Sequence, residues 1–368
     1  MKLVCERDVL LKEMLIAHDT ISTKSTISIL SNVLLTTDKN ILTIQATDLK
    51  VSFSSRIAVE TKKPGTVVVF CDRLLEILRS LPNGEIDFSL DENLMLSISP
   101  RTTKVNFKLK CIAADKFPVQ QEVDENLFIE YPQKEFIDMI IKTLFAISDD
   151  ETRFFLNGVY LEKTDNSFNM VASDGRRLAL IAKGGNAIKG TIKGIIIPPK
   201  ILNIVKKNAS GEGNLRFAIT DKNIFIKLGD HLFTSNLIEG KFPNYQKVIP
   251  EHNEYKISVK RQTLEESLKR VSILIENKTR SVFFQLSDNN LVVSSEESEV
   301  GKAQEEISCD YSGPPTTLTF NYYYLLEPLR VIDSDMIDIE FNDAKKAVIL
   351  KPKDDKQYVN IIMPLQSE

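Results

Sequence analysis

An α+β fold made of three copies of one unit is the architecture this sequence predicts, on two recurrences and a shared order of elements. Extended stretches close on Phe117-Pro118, Phe242-Pro243 and Met363-Pro364, with the prolines 125 and 121 residues apart in a chain of 368. A small polar residue followed by an acid ends a strand at Asp48, Asp174 and Glu296, with spacings of 126 and 122. Between these markers the hydrophobic patterns follow one another in the same order, as an internal repeat requires.

Each unit opens with an amphipathic helix, recognised by apolar residues three and four apart. The first runs from Arg7 to His18 with Val9, Leu10, Met14, Ile16 and Ala17 on its apolar side. The second runs from Gln133 to Ile147 with Phe136, Ile137, Ile140, Ile141 and Leu144. The third runs from Gln262 to Leu274 with Leu264, Leu268, Val271 and Leu274. A strand pair around a polar turn follows in each: SNVLLTTDKNILTIQATD, NGVYLEKTDNSFNMVASD and SVFFQLSDNNLVVSSEE. Next a strand runs into a second helix, in TVVVFCDRLLEILRSL, GIIIPPKILNIVKKN and TLTFNYYYLLEPLRVI, and another strand pair ends the unit. The units are residues 1–124, 125–252 and 253–368, with linkers near Gln120 to Asn126 and Pro250 to Glu254.

Charge narrows the function classes. Forty-seven basic and 51 acidic residues give −4, which excludes attachment to DNA or membrane by a large positive charge. By unit the net charges are 0, +2 and −6, which suits an acidic third unit meeting a less acidic first unit head to tail. No apolar run approaches a membrane span, and Glu6, Arg7 and Asp8 stand where a signal peptide needs its apolar core, so a cytoplasmic protein is expected. Cys5, Cys71, Cys111 and Cys309 have no CxxC spacing and are expected to be buried free thiols.

A catalytic constellation is not found. His18, His231 and His252 have no partners at metal-ligand spacing, so neither metal nor cofactor is expected. The glycine cluster from Gly184 to Gly194 lacks the order of a phosphate loop and reads as a hairpin loop. Asp48 and Asp174, the carboxylates on which a nuclease would rest, follow strands and are expected to cap turns. With no Trp and no zinc module, sequence-reading nucleic-acid modules also fail.

RFFLNGVYLE (Arg153 to Glu162), VASDGRRLAL (Val171 to Leu180), EGKFPNYQKVIP (Glu239 to Pro250) and IIMPLQ (Ile361 to Gln366) stand in order. Together with the opening MKLVCERDVLLKEML and the segment ILSNVLL, they closely resemble the bacterial DNA polymerase III beta subunit, the sliding clamp family, over the whole chain. The resemblance implies the DNA clamp fold, with two inner helices and outer antiparallel sheets per unit, closing as a head-to-tail homodimeric ring. It implies a non-enzymatic processivity factor that encircles double-stranded DNA without sequence specificity. It would tether the polymerase III alpha subunit, the clamp loader, other polymerases and repair proteins through clamp-binding peptides. Such a tether raises effective concentration at the primer end. Two other readings stay in play: an adaptor of the same fold that rarely loads on DNA, and a carboxylate-dependent nuclease.

Site residues follow from the same resemblance. DNA contacts are implied at Lys24, Arg153, Phe154 and Lys200. The six inner-helix windows together carry +3, a mildly basic lining of the kind that holds phosphates without reading sequence. The peptide groove is implied at Leu156, Ser173, Gly175, Arg176, Arg177, Leu178, Pro243, Lys247, Val248, Ile361, Met363, Pro364 and Leu365. Leu178, Val248, Met363 and Leu365 would form an apolar slot and the arginines and lysine a basic rim. The dimer seam is implied at Phe107 and Leu109 on one side and Ile273 and Leu274 on the other. Arg73 and Lys104 would pair there with Glu299, Glu305 or Glu306. Arg176 stands where the family often has histidine, Asp72 where some members have arginine, and the tail reads MPLQSE where many members end with MP, an apolar residue and arginine, so that Gln366 removes a charge.

Overall fold

The computed structural model describes residues 1–21, 28–185, 188, 192–276 and 278–366. Lys24 and part of the Gly184 to Gly194 cluster lie outside the described residues. Among the described residues there are six α-helices: α1 (Arg7–Thr20), α2 (Cys71–Ser80), α3 (Gln133–Thr143), α4 (Pro199–Asn208), α5 (Arg261–Val271) and α6 (Tyr322–Val331). They fall two to a repeat. The expected ends of two helices are shortened, because Leu144–Ala146 and Ser272–Leu274 are 3-10 turns. The stripe predicted for α1 is also narrower, since Val9 is exposed while Leu10, Met14, Ile16 and Ala17 are buried.

Two compact units arise, and their boundary cuts the middle repeat: residues 1–137 with 200–237, and residues 138–199 with 238–368. In the first, α1 packs on α2 and on the strands Ile41–Thr47 and Val51–Ala58. Leu10, Met14, Leu74, Leu75 and Leu78 are buried. His18 reaches Asp72 of α2 at 3.1 Å. In the second, α5 packs on α6 and on the strand Asn290–Ser295, with Leu264, Leu268, Leu325 and Leu329 buried. All four cysteines are buried free thiols, and burial pushes Cys5 and Cys71 up to about 12.

Each unit contains one eight-stranded antiparallel sheet assembled from two repeats. In the first its order is Ile129–Pro132, Asn214–Ile219, Asn223–Leu228, His231–Asn236, Val51–Ala58, Ile41–Thr47, Asn32–Asp38, Gly65–Phe70. In the second it is Ile192–Ile197, Val159–Lys163, Ser167–Ser173, Arg177–Gly184, Tyr358–Ile362, Val348–Pro352, Met336–Phe341, Tyr255–Lys260. The seams are equivalent: Phe233 faces Phe53 in one and Asn360 faces Ala179 in the other. The remaining strands form a five-stranded sheet ending at Phe107–Lys110 and a four-stranded sheet ending at Gln304–Ser308. Strand registers also correct one sequence marker. Val159 and Val282 hold equivalent places, which puts Glu297, not Glu296, at the position of Asp174.

Candidate functional site: a groove in the second unit

The turn between strands Ser167–Ser173 and Arg177–Gly184 is built by its own side chains. Asp174 Oδ1 accepts from the backbone N–H groups of Arg176 (2.8 Å) and Arg177 (3.0 Å). Ser173 Oγ donates to the Arg177 carbonyl at 2.7 Å and accepts from Gly175 N–H at 3.0 Å. Gly175 sits at φ 86, a backbone conformation that favours glycine, and a Cβ there would lie 2.6 Å from Arg153 Nη1 and displace the end of that side chain. The turn at Asp48 in the first unit repeats the pattern, with Asp48 Oδ1 accepting from Lys50 and Val51 and Thr47 Oγ1 donating to the Val51 carbonyl. Both aspartates thus take the capping role expected of them.

Behind the turn lies an apolar cluster of Leu156, Val171, Leu178, Ile196, Phe242, Tyr245, Ile349 and Ile361. Phe242 stacks on Tyr160 with ring centroids 4.7 Å apart. Tyr245 donates from its hydroxyl to Glu162 Oε1 at 2.5 Å and accepts from Asn169 at 3.3 Å. Burial, then Glu162, pushes the Tyr245 hydroxyl far up, so it stays a neutral donor. The C-terminal segment adds a wall: Met363 N–H donates to the Arg176 carbonyl at 2.9 Å and Leu365 N–H to the Thr319 carbonyl at 2.8 Å.

Several positions expected from sequence to line a groove meet here: Ser173, Gly175, Arg176, Arg177 and Met363 at the turn, and Leu156, Leu178 and Ile361 in the cluster behind it. Leu156, Leu178, Ile361 and Pro364 are buried. Val248 is 50% and Met363 42% exposed, apolar surface available to a partner. Gly175, Arg176, Pro243 and Lys247 are exposed, and Ser173 and Leu365 are half-buried. Arg177 departs from its expected place on the basic rim. Its side chain is only 11% exposed and is held by Asp174 Oδ2 (3.1 Å), Glu327 and the Phe145 carbonyl (2.6 Å), over the ring of Tyr324. Glu327, Tyr324 and Phe145 were not anticipated. The spacing of Tyr324 and Glu327, three apart on one helix face, was their only trace in the sequence.

The expected DNA contacts fare differently. Lys200 does not present a free ammonium: its Nζ donates to Asp48 Oδ2 and to the Thr20 carbonyl, both at 2.6 Å. Arg153 donates to Asp150 Oδ2 at 2.9 Å and lies against Gly175 at the groove's edge, while Phe154 beside it is 51% exposed. Hydrogen bonds from Thr152 and Arg153 hold the Asp150 carboxyl down at about 2. At the expected seam, Phe107 and Leu109 are half-buried on their edge strand, Leu274 is half-buried and Ile273 is 78% exposed. Lys104, Glu299 and Glu306 are exposed. Arg73 instead pairs with Glu76 on α2 at 2.6 Å, and Glu305 with Arg270 at 2.6 Å.

Three domain families match the chain in succession: the DNA polymerase III beta subunit N-terminal domain over residues 1–121, its central domain over 130–244 and its C-terminal domain over 246–366. The chain belongs to the DNA polymerase III beta subunit family. Its function is that of a processivity clamp in DNA replication. Similar proteins include the beta sliding clamps of Treponema pallidum, 40% identical, and Pseudomonas putida, 31% identical, each covered completely along with this chain. A sliding clamp of Pseudomonas aeruginosa bound to griselimycin superposes with a TM-score of 0.93 at 28% identity, over all of both chains. A clamp of Bacillus subtilis gives 0.95 at 24% identity, also over all of both chains, which speaks for the clamp fold.

Proposed function

We propose that two copies of this chain close head to tail into a ring around duplex DNA, and that the groove in the second unit tethers the clamp's partners. The carrying observation is the incomplete third sheet. The edge Phe107–Lys110 belongs to the same place in the repeat as His231–Asn236 and Tyr358–Ile362. The edge Gln304–Ser308 belongs to the place of Val51–Ala58 and Arg177–Gly184. In both complete sheets these two places pair with each other. Joined to one another from two copies, the free edges would make a third continuous sheet, of nine strands because Glu60–Lys63 adds one at its outer edge, and remove two exposed ladders that otherwise invite aggregation. A dimer has two such seams and closes on itself.

Within such a ring the chain acts without catalysis, by topology. Contact with the duplex falls to Arg153, Phe154 and Lys24, without sequence specificity and weakened by salt. Leucine and phenylalanine side chains of a partner peptide would enter beside Leu178, Val248 and Met363 while Arg176 and Lys247 meet its polar groups. The polymerase III alpha subunit, the clamp loader, other polymerases and repair proteins would share that groove, in the cytoplasm where a bacterial chromosome is copied. The griselimycin bound by the Pseudomonas aeruginosa clamp supports a groove that accepts peptide-like ligands. The test is retention on DNA: once loaded, the protein should stay on closed circular duplex and slide off after a single linearising cut. Equal retention on both forms would refute encirclement.

A further inference from the structure

We infer that Glu327 is a positioning residue for the peptide groove, acting through Arg177 without touching the peptide; this rests on the groove assigned above. Arg177 is anchored on three elements at once. Its Nε donates to Asp174 Oδ2 of its own turn at 3.1 Å, its Nη1 to Glu327 Oε2 on α6, and its Nη2 to the Phe145 carbonyl at 2.6 Å, after α3. The guanidinium carbon sits 4.7 Å from the centroid of the Tyr324 ring and 5.5 Å from that of Phe145. A planar guanidinium with five fixed donors meets such a set, and a lysine ammonium cannot.

The backbone around this side chain forms both walls of the groove. The Arg177 N–H completes the Asp174 turn, its carbonyl accepts from Ser173, and the neighbouring Arg176 carbonyl accepts from Met363 N–H at 2.9 Å. The next residue, Leu178, lies in the apolar floor. Any shift of Arg177 is therefore transmitted to the turn on one side and to Met363 through Leu365 on the other. Glu327 is the sole carboxylate that ties this guanidinium to another helix among the described residues, since Asp174 belongs to the turn itself. Its charge thus fixes where the turn sits relative to α6, and preorganised walls bind more tightly than walls ordered during binding.

The test is Glu327→Gln in the full-length protein, read by anisotropy against a fluorescein-labelled short peptide that carries leucine and phenylalanine side chains. The amide oxygen keeps the size of the acceptor but removes the charge, and the expected result is about a tenfold loss of affinity, within the usual range of coupling between sites. Dimer dissociation should be unchanged. Exchange of the Met363 amide in the free protein should quicken in Glu327→Gln while core amides of Met336–Phe341 keep their protection, which a general loss of stability would not produce. Glu327→Asp keeps the charge on a shorter arm and should restore part of the affinity. Tyr324→Leu provides a second route should Glu327→Gln fold poorly, because it removes the ring beneath the guanidinium and should weaken the same peptide. Unchanged peptide affinity in Glu327→Gln and Tyr324→Leu, with Met363→Ala weakening it, would overturn the positioning role. Unchanged affinity in Met363→Ala as well would place the fault in the groove itself.

Discussion

The register of the proposed seam between two copies is fixed by the two seams already present. Carrying either one onto the free edges through the strand pairings gives the same answer: Phe107 opposite Ala303, Asn106 opposite Gln304 and Leu109 opposite Gly301. The assignment is physically coherent. Phe107 and Leu109 fall on the face of Ala303 and Glu305, and Glu305 reaches Arg270 of α5, so this is the helix-facing side. Leu109 also arrives at Gly301, beside which Leu274 lies close enough for a Cβ to contact its Cδ1 at 3.7 Å. Asn106 and Gln304 are both exposed, so cysteines there disturb no apolar contact. Directly opposed residues lie about 4.5–5.5 Å apart at Cα, inside disulfide range, while a shift of two residues moves them to about 7–8 Å. Asn106→Cys with Gln304→Cys should therefore oxidise to a covalent dimer of twice the 41.7 kDa chain mass, and Asn106→Cys with Glu306→Cys should not. The four native thiols are buried and should give no background. In the same seam, Phe107→Ala removes a ring half-buried in the single chain. Taking half of the roughly 3–5 kcal/mol typical of a core Phe truncation at each of two seams, the dimer loses about 3–5 kcal/mol, or roughly two to four decades in Kd. Equilibrium sedimentation reads that shift. Cross-linking of the 106–306 pair in preference to 106–304, or a Phe107→Ala dimer as tight as wild type, would refute the seam.

Three further outcomes follow from the geometry. Leu178→Ala should cost about 2–5 kcal/mol of stability in urea unfolding as well as peptide affinity, because Leu178 is 5% exposed, whereas Met363→Ala, at 42%, should lose affinity with little loss of stability. Gly175→Ala forces a Cβ onto Arg153 and an L-residue into φ 86, and a destabilisation of about 1–2 kcal/mol with weaker peptide binding is expected by calorimetry and anisotropy. In the first unit, burial pushes the Glu13 carboxyl up, but its hydrogen bonding, chiefly with His231 (2.9 Å), and the charges of His231 and Lys12 together outweigh this, leaving it below the usual carboxylate range. A lowered folded-state value stabilises above the unfolded value and is lost as pH falls through it, so the chain should lose stability below about pH 4. Glu13→Gln should flatten that acid limb in urea titrations run at several pH values.

The three-unit order, the helix starts and the apolar residues buried behind the Asp174 turn were legible because each leaves a periodic or clustered trace along the chain. Leu10 and Met14, like Phe136 and Ile140, are four apart and buried on one stripe. The turn at Asp174 was legible because a short carboxylate after a strand has few other uses. Direction of a charged side chain was not. Arg177 and Arg176 are neighbours of the same type, yet one is locked beneath the turn and the other exposed, because Arg176 lies in the turn itself while Arg177 opens the strand. Lys200 shows the same limit: its cation looked free for phosphate, but Asp48, 152 residues earlier, neutralises it. Such pairings are set by which strands become neighbours, a property of register rather than of local pattern. The same reasoning applies to the proposed seam between two copies. Phe107 and Leu109 read equally well as core residues until the sheet order shows that their strand ends a sheet, and only the two completed sheets say which residue each must face.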